Sequence, residues 1–301
     1  MRHKPRGIVV SMTMRGRKRG RLLAAVTLVL AMAGGALAGA PSAGAQTNPF
    51  QRGPNPTASG VSTTGPFAIS SATVGSGNGF GSATIYFPTD TSQGTFGGIA
   101  VAPGFTETQS ALRWWAQRLA SHGFVVINIS TNSTFDNPSS RATQLQNALN
   151  YLVNTSSVRT RVDRTRLGVS GHSMGGGGTL EAARNNTAMQ AAIPLMPWDQ
   201  TKDFSGIRTP TMIVAGQNDG IATPSNHAIR FYNSIPDASE KVYLELAGAG
   251  HNASNSPNAI ISLFGVSWAK RYIDNDTRYE QFVCPGGGSG ISSYRQTCPG
   301  S

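Results

Sequence analysis

Seven short runs of apolar residues recur between residues 82 and 246, and several are apolar at almost every position. Continuous rather than alternating apolar runs are typical of parallel strands that are buried on both faces. The pattern therefore predicts strands at residues 82–87, 98–102, 124–129, 167–170, 191–195, 211–215 and 241–246.

Between these runs, apolar positions recur at helical spacing. The spacing predicts helices at residues 110–121, 140–154, 174–185, 225–234 and 257–274, with helix starts near 137–139 and 255–257 where proline follows a capping residue. Residues 46–66 are rich in Pro, Gly and Thr and predict an extended lead-in. Strands and helices in alternation indicate an α/β fold, with a mostly parallel sheet flanked by helices in a single domain.

The first 45 residues have the composition of a secretory signal peptide. A basic segment at 15–21 precedes an apolar segment at 22–38, and Ala43-Gly44-Ala45 forms a small-x-small cleavage site. We therefore expect export and removal of residues 1–45. The catalytic domain would then span residues 46–301, without stable membrane insertion after cleavage.

This leader explains most of the positive charge. The full chain has 25 Lys+Arg and 14 Asp+Glu, and the first 45 residues hold 8 of the basic residues and none of the acidic ones. The remaining 17 basic residues exceed the acidic ones by only three. The basic balance of the whole chain is therefore no indication of nucleic-acid binding.

Both cysteines, Cys284 and Cys298, lie in the last 20 residues. In an exported protein this pair predicts a disulfide that fixes the C-terminal segment. No histidine or second cysteine pair accompanies them, so we expect no metal site there.

Gly-His-Ser-Met-Gly at residues 171–175 lies between a predicted strand and a predicted helix. This G-x-S-x-G pattern is typical of a nucleophile elbow, in which a strained turn raises the serine hydroxyl above the sheet. Gly171 and Gly175 would be small because a side chain there would collide with the neighbouring strand or helix. Ser173 is the predicted nucleophile.

An acid and a base follow Ser173 in the order that an α/β-hydrolase requires. Asp219 follows the strand 211–215, and His251 follows the strand 241–246. Because parallel strands end at one edge of a sheet, both side chains can reach Ser173. His251 would act as the general base and Asp219 would orient it. His172 as the base and Asp199 as the acid are alternatives.

The oxyanion of an acyl-transfer intermediate requires backbone donors. We expect one from the amide of Met174, after the nucleophile, and another from Phe105, after the strand 98–102. Phe105 and Trp198 would flank the serine and hold an apolar or aromatic acyl group. Packing of Trp198 in the core is the alternative interpretation. No cofactor is needed for this chemistry.

The motifs resemble those of the actinobacterial cutinases, a polyester-hydrolase family that includes poly(ethylene terephthalate)-degrading enzymes. They are Gly-His-Ser-Met-Gly-Gly-Gly-Gly at 171–178, Ser-His-Gly-Phe-Val-Val at 121–126, Pro-Trp at 197–198 and Asp-Asn-Asp-Thr-Arg-Tyr at 274–279. The resemblance covers essentially all of the chain after the leader. It implies an α/β-hydrolase without a lid, an open groove and hydrolysis of long or polymeric esters. It also implies the same triad, oxyanion hole and aromatic clamp.

The chain departs from the family pattern at two structural sites. Calcium-binding cutinases of this family carry acidic residues where this chain has Gln217, Ala247 and Ser292, so we expect no calcium site. Gly216 and Ala253 occupy the positions of an additional disulfide found in mesophilic relatives, so that bridge is not expected.

Two further positions concern the substrate groove. Asn252 stands where the family usually has a large aromatic residue after the catalytic histidine, which implies a wider and more polar groove. His227 and Phe231 match a bulky pair beneath the clamp tryptophan, and should limit the motion of Trp198.

The sequence thus predicts a secreted, monomeric serine esterase whose partner is a polymeric or hydrophobic ester, such as cutin or a synthetic polyester. A triacylglycerol lipase or small-ester carboxylesterase would use the same residues. A non-catalytic surface-binding protein with this fold is a third possibility.

Overall fold

A nine-stranded sheet forms the centre of the protein in a computed structural model that describes residues 48–298. Its strands lie side by side in the order β1-β2-β4-β3-β5-β6-β7-β8-β9. In chain order they are β1 (Ile69–Val74), β2 (Ser82–Pro88), β3 (Phe96–Ala102), β4 (Phe124–Ser130), β5 (Val162–His172), β6 (Ala191–Leu195), β7 (Thr211–Gly216), β8 (Lys241–Leu246) and β9 (Ile291–Gln296).

The six middle strands, from β4 through β8, pair in parallel. The strands at the two edges pair antiparallel. Every residue of β3, β6 and β7 is buried, as expected for parallel strands covered on both faces. The fold is the mostly parallel α/β-hydrolase sheet that the sequence predicts.

Helices cover both faces of this sheet. They are α1 (Ala58–Ser62), α2 (Arg113–Ser121), α3 (Pro138–Asn154), α4 (Met174–Asn185), α5 (Ala228–Ser234), α6 (Ala259–Ile273) and α7 (Glu280–Val283). Buried side chains of α3, α4 and α5 form one apolar core with the sheet. Those of α2 and α6 form a second core on the opposite face, which includes Trp115 and Trp268. The sheet is therefore the middle layer of three.

The sequence pattern missed strands β1 and β9. Both lie at an edge of the sheet, and most of their residues are exposed or only partly buried. An edge strand that faces solvent carries polar side chains, so it lacks the apolar run that marks the central strands. The predicted strand 167–170 is also too short, because β5 begins at Val162 in a stretch of polar residues.

The extended lead-in and several helix boundaries predicted from the sequence were wrong. The lead-in 46–66 is not wholly extended, since it contains α1, whose first turn is capped by the Thr57 hydroxyl. The predicted helix 257–274 is α6, and Asn258 caps it rather than residues 255–257. The helix predicted at 225–234 begins only at Ala228. The helix predicted at 110–121 opens with a 3₁₀ turn, Gln109–Leu112.

The predicted disulfide between Cys284 and Cys298 is present, with the two Cα atoms 5.9 Å apart. It joins the end of α7 to the segment after β9. Of the helices described between residues 48 and 298, none is both long and apolar enough to span a bilayer. The predicted signal peptide, residues 1–45, lies outside the described residues.

Candidate active site

Ser173 lies in a sharp turn between β5 and α4. Its φ of 52° is in the left-handed region, which costs free energy for a residue with a side chain. A Cβ atom on Gly171 would collide with the carbonyl oxygen of Gly175, and one on Gly175 would collide with that of Ala102. The tight packing around the turn therefore requires both glycines.

The structure brings the three side chains proposed from the sequence into one hydrogen-bonded chain. The distance between Ser173 Oγ and His251 Nε2 is 2.8 Å. The distance between His251 Nδ1 and Asp219 Oδ2 is 2.7 Å. Asp219 lies in the loop after β7, and His251 begins a 3₁₀ turn, His251–Asn255, after β8. The carboxyl ends of parallel strands thus supply all three residues.

Asp219 is held as a carboxylate. Burial alone would raise its pKa, but the hydrogen bond with His251 and those from the amides of Ile221 and Ala222 keep the pKa below its ordinary value. An ionised carboxylate only accepts hydrogen bonds, so His251 donates from Nδ1. In the neutral imidazole Nε2 then carries no hydrogen and can accept the hydroxyl proton of Ser173.

The two expected oxyanion donors belong to segments that adjoin Ser173. Met174 is the first residue of α4, where backbone amides have no acceptor within the helix. Phe105 follows Gly104 in the loop after β3. A Cβ on Gly104 would be 3.1 Å from the Cβ of Ser173, so this loop packs directly against the serine.

Trp198 is partly exposed and stacks on His227, with ring centroids 6.0 Å apart and planes inclined by 27°. His227 in turn contacts Phe231 edge to face at 5.8 Å. Burial, reinforced by Lys202, lowers the pKa of His227 to about 4, so its ring is neutral at physiological pH. The expected support beneath Trp198 is therefore present.

Phe105 is 46% exposed and makes an edge-to-face contact with Phe135 at 5.4 Å. Sequence reasoning missed Phe135, which is 69% exposed. The only available signal was an aromatic residue in the polar loop that follows β4. Asn252 is exposed beside His251. Phe105, Phe135 and Asn252 are thus exposed side chains on loops adjoining the segments that carry Ser173 and His251.

The alternative base, His172, makes no hydrogen bond with Ser173. Its Nδ1 lies 3.0 Å from Glu107 Oε2, and its Nε2 lies 3.0 Å from the carbonyl oxygen of His251. Its ring contacts that of His251, with 4.9 Å between the centroids. Glu107, its partner, was not singled out from the sequence.

The alternative acid, Asp199, does not reach His251. Its Oδ1 accepts a hydrogen bond from the amide of Thr201, and the residue is only 3% exposed. Burial, together with the nearby Glu181 carboxylate, raises its pKa to about 6. Asp199 is a buried acid beside Trp198 rather than a partner of the histidine.

At the positions of the family's calcium ligands, Gln217 Oε1 accepts a hydrogen bond from the amide of Gly248, and the Ser292 hydroxyl donates to Glu245. Within residues 48–298, no group of three or more His, Cys, Asp or Glu side chains is placed to hold a metal ion. The side chains here are engaged with the protein itself.

Comparison with known proteins is consistent with this geometry. The PET hydrolase-like family matches residues 44–299. This chain belongs to the PET hydrolase-like family. A bis(hydroxyethyl) terephthalate hydrolase of Streptomyces coelicolor is 50% identical over 288 residues, covering 94% of this chain and 92% of that protein. A cutinase of Thermobifida fusca is 48% identical over 295 residues, covering 94% and 97%.

A second Thermobifida relative, cutinase 2 of Thermobifida cellulosilytica, is 50% identical over 261 residues, which cover 84% of this chain and 99% of that protein. The similarity thus spans nearly the whole length of both partners. This PET hydrolase-like protein is a carboxylic-ester hydrolase with the α/β-hydrolase fold.

Proposed function

We propose that this protein is a secreted serine esterase that hydrolyses the ester bonds of polyesters, such as cutin or poly(ethylene terephthalate). The observation that carries the proposal is the continuous hydrogen-bonded chain from Ser173 through His251 to Asp219, at 2.8 and 2.7 Å. Related proteins are named as cutinases and as a bis(hydroxyethyl) terephthalate hydrolase, and these names support the substrate class.

In the proposed reaction, Ser173 Oγ attacks the ester carbonyl carbon while His251 Nε2 takes the hydroxyl proton. Asp219 stabilises the resulting imidazolium without being protonated. The amides of Phe105 and Met174 hold the negative oxygen of the tetrahedral intermediate. Its collapse expels the alcohol, which takes the proton from His251. Water then attacks the acyl-enzyme by the same steps, releases the acid and restores the serine.

The residues around Ser173 support the proposal that a bulky acyl group binds in an open groove without a lid. The partly exposed ring of Trp198 and the exposed ring of Phe105 offer two aromatic faces to an aromatic acid. A cavity of about 330 Å³ lies beside Met174 and Trp198 and is also lined by Glu181 and Asp199. Asn252 and His227 complete the proposed substrate-binding set.

The test compares hydrolysis of short p-nitrophenyl esters, emulsified triolein and polyester film by the wild type and by Ser173→Ala. We expect the substitution to lower turnover on every ester by several orders of magnitude, leaving only residual catalysis. A fluorophosphonate should label the wild type and not the variant. Activity dominated by triolein would identify a lipase, and an unlabelled wild type would indicate a non-catalytic binding protein.

We further propose that residues 1–45 are a signal peptide and that the mature monomer begins at Gln46. The family match begins at residue 44, close to the proposed cleavage site. N-terminal sequencing of protein recovered from the culture medium tests the cleavage position. Light scattering of the mature protein tests its oligomeric state.

A further inference from the structure

The Glu107 carboxylate is the centre of a partly buried hydrogen-bond network near Ser173. Its side chain is 18% exposed. Glu107 Oε2 accepts a hydrogen bond from the amide of Gly104 at 2.6 Å and lies 3.0 Å from His172 Nδ1. Its Oε1 accepts a hydrogen bond from Asn255 Nδ2 at 2.6 Å. One carboxylate therefore has three separate partners.

These partners belong to the three segments that carry the proposed reacting groups. Gly104 precedes Phe105, whose amide is a proposed oxyanion donor. His172 directly precedes Ser173. Asn255 ends the 3₁₀ turn that begins with His251. Glu107 therefore links three segments: the loop at Gly104 and Phe105 (the oxyanion loop), the turn at 172–173 (the nucleophile turn) and the turn His251–Asn255 (the histidine turn).

His172 extends the network to the proposed general base. Its Nε2 faces the carbonyl oxygen of His251 at 3.0 Å, and the two rings are in contact. A carbonyl oxygen and an ionised carboxylate only accept hydrogen bonds, so each is a suitable acceptor for a ring N–H of His172. Burial would raise the pKa of Glu107, but the hydrogen bonds from His172, Gly104 and Asn255 keep it below its ordinary value.

The oxyanion loop is also held from its other side by a buried cation. The guanidinium of Arg141, which is fully buried, donates to the carbonyl oxygen of Pro103 at 2.9 Å. Gly104 has no free space, because a Cβ there would lie 2.7 Å from Glu107 Oε2 and 3.0 Å from His172 Nδ1. The backbone at 103–104 is thus fixed between a positive and a negative side chain.

We infer that Glu107 is a positioning residue for the ester hydrolysis proposed above. It acts through Gly104 on the oxyanion donor at Phe105, and through His172 and Asn255 on the turn that holds His251. It does not touch the substrate. The inference rests on the proposed function, since it assigns Glu107 a role in that reaction.

Two substitutions separate positioning from other roles. Glu107→Ala removes all three hydrogen bonds. Glu107→Gln can retain them, because its amide oxygen can accept from Gly104 and His172. Its NH₂ group can donate to Asn255 Oδ1, which has no hydrogen-bond partner in the described structure, once that amide rotates.

Kinetics on a soluble p-nitrophenyl ester are measured well below the melting temperature of each variant. We expect Glu107→Ala to lower kcat about 10- to 100-fold with KM changed less than about 2-fold, because misplaced reacting groups slow the chemical step more than binding. Glu107→Gln should retain more than about a third of the wild-type kcat. In a double variant, Asn255→Ala should add little to Glu107→Ala, since the two side chains share one contact.

Amide hydrogen exchange gives a reading that does not depend on activity. Glu107→Ala should accelerate exchange in residues 103–108 and 251–255 and leave the central strands unchanged, and Glu107→Gln should not. A kcat within about 2-fold of wild type for Glu107→Ala, equal losses for both variants, or unaltered exchange would each overturn the inference. Failure of the proposed function would show itself separately, as a wild type that neither hydrolyses esters nor reacts with fluorophosphonate.

Discussion

Replacing Asp199 by Asn should stabilise the protein at neutral pH. Asp199 is 3% exposed, and its Oδ2 has no hydrogen-bond partner within the described structure. The nearby side chain of Glu181, itself only 6% exposed, adds a second buried carboxylate. An asparagine can keep the hydrogen bond that Oδ1 accepts from Thr201 and present its NH₂ group toward Glu181. The substitution therefore removes a buried charge while keeping the shape of the side chain.

The magnitude follows from the pKa of Asp199, which burial raises from 3.8 to about 6. One pKa unit corresponds to about 1.4 kcal/mol, so the ionised side chain lowers the free energy of unfolding by about 3 kcal/mol. Between pH 4 and 6 the folded state binds more protons than the unfolded state, so this stability is lost as pH rises. Asp199→Asn should therefore gain less than about 1 kcal/mol at pH 4 and about 3 kcal/mol at pH 8.

Urea unfolding of the wild type and of Asp199→Asn at pH 4, 6 and 8 measures this difference. In thermal melts the gain at pH 8 corresponds to about 6–12 °C for a domain of this size. The matched control is Asp203→Asn in the same loop, where an exposed carboxylate accepts a hydrogen bond from the Ser205 amide that lowers its pKa. That variant should show no gain at any pH. Equal effects of Asp199→Asn at pH 4 and pH 8 would refute the reasoning.

Three further predictions concern the groove, the disulfide and metal ions. Trp198→Ala should reduce activity on bulky aromatic esters more than on acetate esters, and equal losses in the same kinetic assay would indicate core packing instead. Replacing Cys284 and Cys298 by Ser should lower the free energy of unfolding by about 3 kcal/mol, measured by urea unfolding, because a closed loop is released. Esterase activity at 25 °C should stay unchanged. Millimolar calcium should leave Tm unchanged within about 1 °C in a thermal melt, whereas a rise of several degrees would reveal a cation site.

The elements that surround Ser173 could be predicted because their signals are local. The glycines of the turn and the apolar strand before it are adjacent in the chain, and parallel topology then places the residues after β7 and β8 at the same edge. The role of Glu107 could not be predicted in this way. Its partners His172 and Asn255 are 65 and 148 residues away, and no spacing rule connects a loop glutamate to them.

The edge strands show a different limit. The hydrophobic pattern reports burial, and β9 has no fully buried residue, so its polar sequence resembles that of a loop. It becomes a strand because the backbone of β8 offers unpaired hydrogen-bonding groups beside it. Such a partner is visible only once the rest of the sheet has been assembled.

The backbone of Ser173 is bonded to the segment that carries the tryptophan. Its amide donates to the carbonyl oxygen of Leu195, and its carbonyl oxygen accepts from the amide of Trp198. The backbone at Ser173 and the backbone at Trp198 are therefore tied together, and their spacing cannot change without breaking these hydrogen bonds. Under the proposed function, adaptation to thicker or thinner polymer chains would then fall to the exposed side chains of Phe105 and Phe135. Variant libraries aimed at new polyesters should therefore vary these two side chains first.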